Sequence, residues 1–63
     1  MTPNDVLAEL RAVAPETLSP GQLCGRLVEA HPGVTREVMS HALRQLERVG
    51  LAREVRHWEW VAV

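Results

Sequence analysis

The chain has 63 residues, 46% of them apolar and 24% charged, and seven arginines with no lysine stand against eight acids for a net charge of −1. A chain this short buries only about 60% of the surface its unfolded form exposes, which leaves room for one small core over residues 1–63 and excludes a barrel, a doubly wound sheet or a large cofactor domain. The charge excludes a strongly basic nucleic-acid arm but not a local basic face, since residues 34–63 carry five Arg against four Glu and residues 1–33 carry two Arg against four acids.

The first predicted element starts at Thr2-Pro3-Asn4-Asp5. Thr2 can cap, proline suits the first helical turn, and Asp5 stands where a negative charge is favoured. Val6, Leu7, Leu10, Val13 and Ala14 then follow a 3.6-residue stripe until Pro15, which predicts a helix over 3–14. Ser19-Pro20-Gly21-Gln22 repeats the start signal as a capping box. The stripe of Leu23, Cys24, Leu27, Val28 and Ala30 predicts a second helix of about three turns, closed by His31-Pro32-Gly33. Thr35 is the N-cap of the third and strongest helix, 35–49, whose inward face is Met39, Ala42, Leu43, Leu46 and Val49. Gly50 is its expected left-handed terminator, and Arg48 lies in its last turn.

Beyond Gly50 the period changes from 3.6 to 2. Residues 51–55 and 58–63 are β-prone and read as a hairpin bent at Arg56-His57. Two registers are open. Val55 opposite Trp58 sets Glu54 against Glu59, whereas Glu54 opposite Trp58 sets Arg53 against Glu59 and is the better of the two. Thr17-Leu18 is placed to add a short third strand beside Trp60. Phe and Tyr are absent, so the helices must pack with Leu, Val and Ala, and Trp58 and Trp60, two apart on one strand, are expected on one face with at least one in the core, the alternative being that one or both stack on a base or anchor a partner. The expected core is Leu7, Leu10, Leu23, Leu27, Met39, Leu43, Leu46 and Leu51. No apolar run spans a membrane, no charged-then-apolar leader opens the chain, and Cys24 alone makes no internal disulfide. The expectation is a cytoplasmic protein without a membrane partner.

Helix, capped helix, tight turn, longer helix, glycine and hairpin form the order of a winged helix-turn-helix. The resemblance is specific over Val34–Ala52, where Val34-Thr35, the mid-helix Ala42-Leu43 and the ending Leu46-x-x-x-Gly50-Leu51 resemble the recognition helix and wing of MarR-like and ArsR-like bacterial regulators. It implies a mainly α fold with a small β-hairpin (α+β), a three-helix winged helix-turn-helix with a C-terminal wing. It also implies a small DNA-binding transcriptional regulator. The chain departs from the pattern at His31-Pro32-Gly33, in a second helix a turn longer than the shortest, and in a wing with no glycine at its tip, and it has no room for a dimerisation or ligand-sensing domain.

With the apolar face turned inward, helix three leaves Thr35, Arg36, Val38, Ser40, His41 and Arg44 outward. The resemblance puts these positions in the major groove of double-stranded DNA, where Arg can bind guanine bidentately, Ser and Thr can bind phosphate, and His can do either. Arg53, Arg56 and His57 are the wing candidates for phosphate or the minor groove. One recognition helix reads few base pairs, so the reading includes a homodimer or a protein partner. No cofactor and no metal are expected, because Cys24, His31, His41 and His57 match no zinc spacing. No phosphate loop or nucleophile motif points to an enzyme. The competing reading is a winged-helix protein-protein interaction module without DNA binding. It draws on the net charge of −1 and on Glu37 and Glu47, which would repel phosphate. Convergence of Arg36, Arg44, Arg53 and Arg56 on one face would favour DNA, and their scatter among glutamates the other.

Overall fold

A computed structural model describes all residues, 1–63. Helix α1 spans Pro3–Val13, α2 Pro20–Leu27 and α3 Arg36–Arg48, followed by strands β1, Ala52–Arg56, and β2, Glu59–Ala62, in one antiparallel hairpin. The chain is therefore α+β, mainly helical with one small sheet.

The helix starts are local capping chemistry. The Asp5 carboxylate accepts the Thr2 N–H at 2.8 Å and the Thr2 hydroxyl at 3.1 Å. Ser19 and Gln22 complete a reciprocal box, Gln22 N–H to Ser19 Oγ at 3.1 Å and Ser19 N–H to Gln22 Oε1 at 2.8 Å. Thr35 Oγ1 accepts the Val38 N–H at 3.1 Å. At the end of α3, Gly50 has φ +79°, its N–H reaches Glu47 O at 3.0 Å, and Leu51 N–H reaches Leu46 O at 2.9 Å. That pair of bonds is a Schellman motif, and it reverses the chain into the hairpin.

Twelve buried residues form one cluster: from α1 Val6, Leu7 and Leu10, from α2 Leu23 and Leu27, from α3 Met39, Ala42, Leu43 and Leu46, with Leu18, Ala52 and Trp60 closing the sheet side. Seven of the eight expected core residues are among them. Leu51 is not, at 37% exposed, because the residue after the left-handed glycine lies along the helix end rather than under it. Helix α2 is also shorter than expected. It ends at Leu27, residues 28–30 run on as turns, and Val28 is exposed. The residue before a proline is pushed out of the helical region, so His31-Pro32 limits the helix from downstream.

The hairpin adopts neither expected register. Its turn is His57-Trp58, with Arg56 opposite Glu59, Glu54 opposite Trp60, Arg53 opposite Val61 and Ala52 opposite Ala62. Val55 is the extra residue of a bulge. Burial explains the choice. Without the bulge, the same turn would set Arg53 opposite Ala62 and turn it to the inner face beside Trp60. The bulge brings Ala52 inward instead, where it is buried, and leaves Arg53 exposed. Trp58 and Trp60 consequently do not share a face: Trp60 is 2% exposed and Trp58, in the turn, 52%. The expected third strand is a single antiparallel bridge, with Leu18 and Trp60 exchanging both N–H···O bonds at 2.9 Å.

Candidate nucleic-acid interface

Helix α3 buries Met39, Ala42, Leu43 and Leu46 and turns the opposite face outward. That face forms one wall of an open cleft of about 650 Å³, contributing Arg36, Glu37, Ser40, His41 and Arg44. The start of α2, Ser19-Pro20-Gly21, forms a second wall, and Trp58 of the hairpin turn closes the third side. Of the sequence-derived candidates, Arg36, Ser40, His41 and Arg44 thus meet in one concavity. Thr35, Val38, Arg53, Arg56 and His57 lie outside its lining.

The two arginines of the cleft are in different electrostatic states. Arg44 Nη1 donates to Glu47 Oε1 at 3.0 Å and to Glu54 Oε1 at 3.4 Å. Its guanidinium carbon lies 5.1 Å from the centre of the Trp60 ring, a cation–π contact that also covers the core tryptophan. Hydrogen bonding to Glu47, reinforced by the charge of Glu54, holds its pKa above the ordinary arginine value. Arg36, by contrast, takes part in none of the ion pairs, which join Arg26 to Glu9 and Arg44 to its two glutamates. Its guanidinium lies over Gly21, with Nη2 3.1 Å from where a Cβ on that residue would stand, so the glycine makes room for the side chain. His41 stands exposed one turn before Gln45, with Nε2 3.5 Å from Gln45 Nε2.

Glu54 joins this face to the turn. One carboxylate oxygen accepts from Arg44, and the other accepts the Trp58 backbone N–H at 3.0 Å. Trp58 itself has φ +66°, and its ring meets the His57 ring edge-on, centroids 4.8 Å apart at 80°. Arg53, paired with Val61, lies on the sheet face opposite that of Glu54 and Trp60, because adjacent strand residues alternate. Arg56 flanks the turn opposite Glu59, whose carboxylate accepts the Thr17 hydroxyl at 3.0 Å. The arginines therefore do not all converge: Arg36 and Arg44 share the cleft, Arg53 leaves it, and Arg44 is held by glutamates.

Sequence reasoning did not place Glu54 or the α2 start on this surface; it weighed Trp58 as a base-stacking residue or partner anchor but favoured the core for at least one of the two tryptophans. The signal for Trp58 was the bend itself, which has no glycine or asparagine and so forces some other residue to positive φ in a two-residue turn. No group of His, Cys, Asp and Glu residues is clustered to hold a metal ion, and no helix is long and apolar enough to cross a membrane. Compared with protein-family models, curated proteins and solved structures, the chain matches none of them.

Proposed function

We propose that the chain is a winged helix-turn-helix that binds double-stranded DNA as a small transcriptional regulator, with α3 in the major groove and the hairpin as its wing. The observation that carries this reading is the shared cleft, in which the outward face of α3, the start of α2 and the hairpin tip border one concavity containing the unpaired Arg36. A helix whose N-terminal half presents Arg, Ser and His beside a second capped helix start suits a phosphate-flanked groove. In this reading Arg36 takes a guanine edge or a phosphate, Ser40 and His41 contact the same strand, and Arg56 beside the wing tip meets the backbone. Few base pairs fall under one such helix, so two copies or a partner protein would bind together.

A second reading, a protein-interaction winged helix, is favoured by the incomplete convergence of the arginines: Arg53 and Arg56 lie outside the cleft, Arg44 is occupied by Glu47 and Glu54, and Glu37 lines the same cleft. Titrating a pool of random duplexes at two salt concentrations separates the two. The DNA reading expects binding that weakens as salt rises, because each phosphate neutralised releases a counterion. Absence of binding at the lower salt refutes it.

A further inference from the structure

Trp58 is placed unlike any other large apolar side chain in the molecule. It holds φ +66° in a two-residue turn, a conformation that costs a bulky L-residue and costs glycine nothing. A glycine or asparagine would close this hairpin more easily. The core does not recruit the ring, which stays 52% exposed and meets only His57 among the aromatic side chains, the two rings nearly perpendicular. The backbone is nevertheless fastened, since Glu54 accepts the Trp58 N–H and is itself held by Arg44 from α3. The result is an exposed aromatic surface on a fastened backbone, lining the cleft beside Arg36, Ser40 and His41.

We propose that Trp58 is a binding residue of the nucleic-acid interface, its indole stacking on a base left unstacked at the edge of the docked duplex. The inference rests on the DNA-binding reading and adds a ligand class to it: a duplex carrying an unpaired or kinked base, preferred over a uniformly stacked one. A ring face reaches a base face only where stacking is interrupted, at an end, a junction or a kinked step. Stacking also suits a chain of net charge −1, because it supplies affinity that does not depend on counterion release.

The test compares the wild-type chain with Trp58→Gly on two labelled DNAs, a blunt duplex whose ends are covered by non-nucleotide linkers and the same duplex with one end opened to a short single-stranded overhang. Glycine accepts the turn conformation, so the variant should melt at the same temperature or higher. Wild type is expected to prefer the overhang DNA by about fivefold or more, the lower end of what base–aromatic stacking supplies, and Trp58→Gly to bind the two DNAs equally. Quenching of the exposed indole by the overhang DNA should accompany binding in wild type and vanish in the variant, leaving the emission of buried Trp60. Equal affinities of the two proteins for both DNAs would overturn the stacking role alone and leave the DNA reading standing. Failure of wild type to bind either DNA would overturn both.

Discussion

Arg36→Ala and Arg44→Ala should affect DNA binding unequally, in an order that composition does not supply. Both arginines lie outward on α3, and both could reach a groove. Arg44, however, already donates to Glu47 at 3.0 Å and Glu54 at 3.4 Å and covers the Trp60 ring, so any contact with DNA must first break contacts within the chain. Arg36 makes no ion pair and would give up only water and its place over Gly21. An arginine that pairs with guanine contributes about 1–3 kcal/mol, which is about 5- to 150-fold in affinity. Arg36→Ala should lose affinity within that range, and Arg44→Ala should lose less. Fluorescence anisotropy on the duplex recovered from a random pool, with melting curves run alongside, reads both. Arg36→Lys divides the remaining alternatives. A phosphate contact survives the exchange and a bidentate guanine contact does not. If the contact is to phosphate, Arg36→Ala should also flatten the salt dependence by about one unit of slope. Arg44→Ala weakening binding more than Arg36→Ala, without loss of fold, would refute the assignment.

Three further predictions concern the scaffold. Leu43→Ala removes a side chain that is 0% exposed at the centre of the core, at a cost of about 2–5 kcal/mol; an unchanged melting curve would remove Leu43 from the core. Gly50→Ala places a Cβ on a residue at φ +79° and should destabilise by about 1–2 kcal/mol, although open space surrounds the site; a neutral result in chemical denaturation would show that the helix end relaxes. The Asp5 carboxyl is held below its ordinary value of 3.8, chiefly by the Thr2 N–H. Its folded pKa therefore lies under its unfolded one, so its contribution to stability is complete above about pH 4 and lost as the pH falls further. Asp5→Asn should be less stable than wild type near neutrality, and the difference should close in acid; a difference independent of pH would contradict the capping role.

The elements legible in the sequence were those decided within one or two turns of chain. Ser19 and Gln22, Thr35, and Gly50 with Leu51 mark helix ends through bonds spanning three to five residues, and all lie where those bonds form. The apolar stripe of α3 was legible as far as Leu46 for the same reason, since one face of one helix carries it, whereas Val49, expected on that face, is the C-cap and stands 67% exposed. The hairpin register was not. It depends on whether Ala52 or Arg53 faces the core, a comparison that exists only once α3 is packed against the sheet. The states of the site arginines followed the same rule. Glu47, one turn from Arg44, was visible as a neighbouring charge, whereas Glu54 meets Arg44 only across the hairpin. Trp58 and Trp60 were separated by the turn at His57-Trp58, so a strict alternation over residues 58–63 placed both on one face where the structure has one inside and one outside.

The most direct test of the DNA-binding account is an amide chemical-shift titration of the whole chain with excess duplex at low salt. The account predicts that shifts concentrate on Arg36–Arg44, on the start of α2 at Ser19–Gly21 and on the turn at His57-Trp58, and that raising the salt reverses them. Unperturbed amides along α3 and the turn at saturating duplex would contradict it, and perturbation of those same residues by a partner protein instead would establish the protein-interaction reading in its place.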